Sequence, residues 1–516
     1  MEPGAPAIAA AARSGLIGRI ATCPGRTLAA MLALHAAVWT VLPTLLYPNL
    51  PLDLIEALMY GREWQLGYDK LPPLPWWLVQ IAYELAARDF AYYLLAELAV
   101  IAAFALIYAA ARPLVGTLGA LVSVLIVDGL HYFNYTAAKF NHDVIQLPFW
   151  ALAGYSFHRA LRERQLTDWL LLGLAVGLSL WAKYFVVVLA APMVVFALLD
   201  RDARRVLATP GPYIAAAVAL VVVAPHLVWL VKTDFLPLGY AEHRAVLARG
   251  WYDHIWHPLE FAGGQLFFLI PSLLIAAPLF WPRRNASEPA VTPSADAFDY
   301  RIVSWPAFGP MATVLAMAAI SGRGTVAMWG YPLWLFLGTW LVLIARRVHD
   351  DRRLVRILAT WTIVFVALAL AFIANYGVLP RFDHRYRAVF FPGGELAREL
   401  SKRYRAATGD PIAYVIGTMW DGGNVAHYAR SQPRVLVDGS PARAPWIDLA
   451  DLKSRGALVV WTGGDPNVIP VPLRTVAADA KVQPPFVLKD RRGDLTVQVG
   501  WAILQKQPSY AARSQP

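Results

Sequence analysis

From residue 27 to residue 376 the chain reads as long apolar runs broken by short polar stretches. Runs of roughly 17–25 mostly apolar residues are long enough to cross a bilayer as helices. The pattern predicts eleven of them, at 27–47, 91–112, 115–133, 143–161, 168–182, 184–199, 211–231, 262–281, 302–320, 328–346 and 354–376. Beyond 376 the period changes. Short β-like runs, IAYVIG (412–417), RVLVDG (434–439), ALVVWTG (457–463), FVLKD (486–490) and LTVQVGWAIL (495–504), alternate with stretches of helical spacing such as GELARELSKRYRAA (394–407). The expected fold class is therefore mainly α: a polytopic membrane protein of about 11 transmembrane helices with a C-terminal α/β domain. Its expected division is an N-terminal segment 1–26, a membrane domain 27–377 and an α/β domain 378–516, with NASEPAVTPSADAFDY (285–300) as a flexible loop between spans.

Composition agrees with that division. Only 16% of the residues are charged and mean hydropathy is +0.46, whereas a soluble domain carries about 25% charged residues. A net charge of +11 has the sign that nucleic acid attracts, but the basic residues sit in short clusters between apolar runs. With a cytoplasmic N-terminus, the loops on that side hold 18 Lys and Arg, in HRALRER (158–164), DRDARR (200–205), ARRVHDDRRLVR (345–356) and elsewhere, against 9 on the other side. That asymmetry is the positive-inside distribution. It places polar outer loops at 48–90, 134–142, 232–261 and 321–327, with the α/β domain on the same outer side. Arg13, Arg19 and Arg26 precede a first run too long for a signal peptide, which is read as an uncleaved span. The single cysteine, Cys23, excludes an internal disulfide framework and a cysteine-based zinc site.

The chemistry-bearing residues concentrate in the outer loops. In PLDLIEALMYGREWQLGYDKLPPLPWW (51–77), Asp53, Glu56, Tyr60 and Glu63 share one helical face and Leu52, Ile55, Met59 and Leu66 another. The spacing predicts an interfacial helix ended by Pro72 and Pro73, its apolar side on lipid, with Trp76 and Trp77 in the aromatic belt. Its acids either are solvated or face a site. KFNHD (139–143) brings His142 and Asp143 to the start of a span, where Asp143 suits an N-cap and is equally placed for a ligand. Lys183 lies between two short apolar halves, snorkelling or pairing with an anion. Asp128, inside a span, marks a functional site by default or approaches His131 or Tyr132. Arg323 is a further outer cation, and 232–261 holds His243, Arg244, Asp253, His254, His257 and Glu260, enough ligand types for a metal site or plain solvated polarity. Acids and cations from separate loops on one side suit a phosphate leaving group held by cations, with a carboxylate to deprotonate an incoming hydroxyl.

At this point the sequence resembles bacterial membrane glycosyltransferases of the GT-C class: protein O-mannosyltransferase-like enzymes, lipid A aminoarabinose transferases and rhizobial lipopolysaccharide galacturonosyltransferases. The resemblance rests on Asp53 followed fourteen residues later by GYDKLPPL (67–74), on NHDVIQLPFWALAGY with Asp143, on GLAVGLSLWAKYF with Lys183, and on HLVWLVKTDF (226–235). It covers most of 27–346 and departs from the family pattern at Leu54, where a second acid is usual, and at Leu71, which displaces Lys70 by one position. The resemblance implies inverting transfer of a sugar from a polyprenyl-phosphate donor to a hydroxyl of lipopolysaccharide, lipid A, a glycan or a protein, on the periplasmic face of the bacterial inner membrane. Asp53 and Glu56 would be catalytic, with Asp53 as base. Lys70, Lys183 and Arg323 would bind the donor phosphate, supported by Asp143, His142 and Tyr60. No cofactor is expected; a divalent metal at Asp53 and Glu56 is the less favoured variant. The expected partners are the lipid-linked sugar, a lipid or glycan acceptor and the bilayer, not nucleic acid. The alternative function is a polytopic transporter or lipid-linked-sugar flippase, which ought to show an internal hydropathy repeat; none is visible.

Overall fold

A computed structural model describes residues 18, 20, 22–244, 246–281, 295–345, 351–490 and 495–507. Arg13, Arg19, most of the loop predicted at 285–300, and the side chains of His243 and Arg244 lie outside the described residues.

Each predicted apolar segment forms helix, although not all are complete spans. Among the described residues six helices are long and apolar enough to cross a membrane: Pro24–Leu46, Asp89–Asp128, Gly211–Lys232, Asp253–Phe280, Ala297–Ser321 and Asp351–Arg381. The segments predicted at 91–112 and 115–133 run together as Asp89–Asp128, broken by the non-helical Gly116. Leu147–Arg162, Leu166–Ala182 and Val187–Leu199 are shorter, and the segment predicted at 328–346 opens in the 3-10 turn Ala327–Gly330 and is α-helical at Leu337–Ala345. The helices Leu166–Ala182 and Gly211–Lys232 pack closely because Gly173 and Gly177 present no side chain: a Cβ on Gly173 would lie 2.4 Å from the Ala215 carbonyl oxygen. Small residues spaced by four are how membrane helices approach one another.

A buried polar cluster ties three spans together. His35 Nδ1 lies 2.8 Å from Asp128 Oδ1, and His35 Nε2 lies 3.1 Å from Glu97 Oε2. Trp361 Nε1 donates to Asp128 Oδ2 at 2.6 Å. Asp128 therefore does not pair with His131 or Tyr132, as its sequence neighbourhood suggests. Side chains on a helix lean toward its N-terminus, so this residue, last in its helix, points back into the bundle.

The C-terminal region is a six-stranded α/β domain, with β1 Tyr414–Gly417, β2 Arg434–Val437, β3 Ala457–Trp461, β4 Lys481–Val482, β5 Phe486–Lys489 and β6 Thr496–Leu504. The order is β2-β1-β3-β6-β4, with β5 also on β6; β2, β1 and β3 are parallel and β6 is antiparallel. Alternate side chains face opposite sides. Ile416, Leu436, Val459 and Trp461 form a separate core with Leu452 and Leu473. Val415, Val435, Leu458 and Val460 face the other way and join the main core through the helices Gly393–Thr408 and Met419–Tyr428.

Candidate active site

The acidic segment 51–77 folds as the helix Leu52–Gly61, a turn, and the helix Leu74–Leu85. Three expectations about it are corrected. The first helix stops at Gly61, and Pro73 with Pro75 opens the second helix, the position where a missing N–H costs nothing. The apolar face of the first helix meets protein rather than lipid: Ile55 and Met59 are buried against Met419–Tyr428, where Gly423 leaves room for Ile55. Trp76 is likewise buried, tilted against Tyr60 and edge-on to Tyr68 and His142 instead of lying in an aromatic belt, and Trp77 packs on Trp64 and Trp181.

The acids of this segment are spoken for, with one exception. Lys70 Nζ lies 2.9 Å from Glu56 Oε1. Asp69 accepts from Tyr60 Oη at 2.7 Å and from Arg443 Nε at 2.6 Å. Glu63 receives both Nε and Nη2 of Arg434, at 3.1 and 2.6 Å. Asp143 accepts from Lys183 Nζ at 2.6 Å and Gln146 Nε2 at 2.9 Å. Asp53 is half-buried, and among the described residues its carboxylate has no hydrogen-bond or ion-pair partner. Burial and the neighbouring Glu56 push it up to about 7, against the pull of Lys70, with Asp143 raising it and Lys139 lowering it further. Burial also raises Glu56, opposed by Lys70. Burial pulls the Lys70 ammonium down, but Glu56 and Asp69 outweigh it and leave it raised.

Asp53, Glu56, Lys70, Asp143 and Lys183, all singled out in the sequence, thus meet in one cluster. Asp143 is not the N-cap of its helix: Asn141 accepts from the Val144 amide at 3.1 Å, which leaves Asp143 free to hold Lys183. Lys183 does not snorkel but bonds that carboxylate from an extended break after Leu166–Ala182. His142 donates to the Pro72 carbonyl at 3.2 Å, and burial together with Lys183 pushes it down to about 3, so it stays neutral. Tyr60 supports Asp69. Arg323 precedes Gly324, which bridges Val246 and lines a cavity of 510 Å³ with Asp253 and His257. In that loop Asp253 accepts from the Arg249 and Gly250 amides, and no group of three or more metal-ligating side chains assembles among the described residues. Sequence reasoning missed Lys139, although it stands in the quoted KFNHD, and it missed Arg443, for which residues 434–443 carry no local signal.

Fold and site together describe a GT-C-like membrane protein. The fold is similar to that of ArnT from Cupriavidus metallidurans bound to undecaprenyl phosphate, with a TM-score of 0.61 at 14% identity, covering 95% of this chain and 100% of that one. Residues 70–229, which include Lys70, Asp143 and Lys183, match the family model described as dolichyl-phosphate-mannose-protein mannosyltransferase. The chain is 28% identical over 256 residues to the lipopolysaccharide core galacturonosyltransferase RgtA of Rhizobium johnstonii, covering 49% of this chain and 50% of that one. It is 30% identical over 234 residues to the lipid A galacturonosyltransferase RgtD of the same organism, covering 43% and 47%. The chain thus spans about half the length of the curated relatives it matches.

Proposed function

We propose that this protein is an integral-membrane glycosyltransferase that moves a sugar from a polyprenyl-phosphate donor to an acceptor hydroxyl, with inversion at the anomeric carbon. The observation that carries the base assignment is the contrast among the acids: Glu56, Asp69 and Asp143 each hold a cation, whereas Asp53 holds none and is pushed up to about 7. A base poised near neutrality is suited to general-base catalysis. In the proposed step Asp53 takes the acceptor proton, the acceptor oxygen bonds to the anomeric carbon, and the bond from that carbon to the phosphate oxygen breaks. The electron pair leaves with the polyprenyl phosphate, whose charge Lys70, Lys139 and Lys183 stabilise. Arg323, beside Gly324 of a different cavity, is given no part in this step. Tyr60 positions Asp69, and His142 anchors the loop after Lys70 at the Pro72 carbonyl.

The relatives' names point to lipopolysaccharide core or lipid A as acceptor, and the undecaprenyl phosphate bound to the structural neighbour points to the carrier. We assign the site to the periplasmic face of a bacterial inner membrane, with a cytoplasmic N-terminus. The reaction is assigned no metal, since one oxygen of Glu56 and one of Asp143 already face ammonium groups. Mass spectrometry of membrane glycolipids from a deletion strain, its parent, and strains complemented with the wild type or Asp53→Asn tests the reading. A sugar lost on deletion and restored only by the wild type supports it. Restoration by Asp53→Asn removes Asp53 from the chemistry, and unchanged glycolipids on deletion remove the transfer reaction.

A further inference from the structure

We infer that a groove at the end of the bundle far from the candidate active site binds an anionic phospholipid of the surrounding bilayer, with one acyl chain in the groove and the phosphate on Arg201 and Arg204. The groove opens between the helices Leu147–Arg162, Leu166–Ala182, Val187–Leu199 and Gly211–Lys232. It measures 240 Å³, and its wall is apolar throughout, with Val176, Met193, Leu207 and Ala216 among its residues. Pockets for drug-sized ligands are commonly about 300–1,000 Å³; this one suits a single hydrocarbon chain.

Position supplies the first argument. Leu166–Ala182 carries the groove on its first half, at Trp169, Leu172 and Gly173, and delivers Lys183 at its other end. At 1.5 Å per residue, Trp169 and Lys183 stand about 20 Å apart. Gly211–Lys232 repeats the arrangement. Pro212, Ala215 and Ala219 line the groove, whereas His226, further along, has Nδ1 2.6 Å from the Leu66 carbonyl oxygen of the acidic segment. The groove is therefore no part of the catalytic cluster, and it lies on the side assigned above to the cytoplasm.

Charge supplies the second. The 3-10 helix Ala203–Ala208 borders the groove with Val206 and Leu207, and Arg201, Arg204 and Arg205 stand just before them. Other arginines at this end are taken up by carboxylates: Arg159 by Asp168 and Glu163, Arg162 by Asp296, and Arg301 by Asp200 and Asp202. Arg205 lies 3.7 Å from Asp202. Arg201 and Arg204 are exposed, and among the described residues neither guanidinium has a hydrogen-bond or ion-pair partner. Basic residues beside a pocket between spans are what recognises an anionic lipid head group. The wall adds a donor. Trp169 is 4% exposed, and its indole N–H has no acceptor among the described residues. Indoles near the membrane boundary join an apolar ring to an N–H that can meet the polar end of a lipid.

The test is native mass spectrometry of the full-length protein in detergent, incubated with equal amounts of phosphatidylglycerol and phosphatidylcholine carrying the same chains. The wild type is expected to retain phosphatidylglycerol about tenfold over phosphatidylcholine. Arg201→Gln combined with Arg204→Gln should bring that ratio close to one. Ala216→Trp, at an exposed position on the groove wall, should lower phosphatidylglycerol retention by a similar factor, because the new ring takes the place of the chain. The arginine pair keeps the test decisive if the tryptophan variant fails to fold. No preference in the wild type, an unchanged preference without the two arginines, or undiminished retention in folded Ala216→Trp would each overturn the proposal. Lipid retention is read without any glycosyl transfer, so failure of the transfer reading and failure of this site are told apart.

Discussion

Asp53 and Glu56 stand one helical turn apart, and their different partners give them different chemistry. Glu56 is locked to Lys70, while Asp53 remains an unclaimed carboxyl pushed up to about 7. As a base it is active only when ionised, so kcat/KM should rise as pH increases through about 7 and level off above it, losing activity in acid. Lys139 lowers Asp53, so Lys139→Ala should move that acid limb to higher pH. A pH–rate profile that stays in place would detach Lys139 from the base. At fixed neutral pH, Asp53→Asn is expected to lower kcat/KM by about 10²–10⁴-fold, with undecaprenyl phosphate binding retained. The lysine pairs bear on metals too. With ammonium groups on Glu56 and Asp143, incubation with EDTA followed by its removal should leave turnover unchanged; activity that vanishes and returns only with a divalent cation would refute this.

At the scale of elements, the acidic helix is held in place by its buried residues Leu54–Gly61. A Cβ on Gly61 would lie 2.5 Å from the Trp76 backbone oxygen, so its bare surface lets the helices Leu52–Gly61 and Leu74–Leu85 touch. Gly61→Ala forces backbone apart, and overpacking of this kind costs about 1–3 kcal/mol. A lowered midpoint in thermal unfolding and reduced transfer should follow together; an unchanged midpoint would show that the contact yields. Much of this architecture was legible in the sequence because it rests on local periodicity: five of the six strands, the helix Gly393–Thr408 and the break at Lys183 fall where the pattern puts them. The role of Ile55 and Met59 was not, since an apolar stripe reads the same against lipid or protein, and the helix that covers it lies more than 360 residues onward. For the same reason Asp69 and Lys70 could be marked as polar loop residues while Arg443, the partner that completes their surroundings, stayed invisible.

Across the whole molecule, the α/β domain is seated on the loop that holds the proposed base. Arg434 grips Glu63 with two nitrogens, Arg62 donates to the Gln432 carbonyl at 3.2 Å, and the Leu50 amide donates to Tyr428 Oη at 3.3 Å. The two ends of the central ion pair are unequal: the Glu63 side chain is 8% exposed and that of Arg434 is 39%. Removing Arg434 leaves a buried carboxylate without its donors, a loss of about 1–3 kcal/mol for such a group. Neutralising both partners removes the stranded charge. Arg434→Gln should therefore loosen the domain more than Arg434→Gln combined with Glu63→Gln. Hydrogen exchange of the amides in Leu52–Gly61 reads this out, because a ten-residue helix keeps little protection without tertiary packing. Faster exchange there in the single variant, with partial recovery in the double, would mean that docking of the C-terminal domain sets the order of the acidic helix and hence the geometry at Asp53. Equal protection in wild type and both variants would mean that the membrane helices alone hold the base.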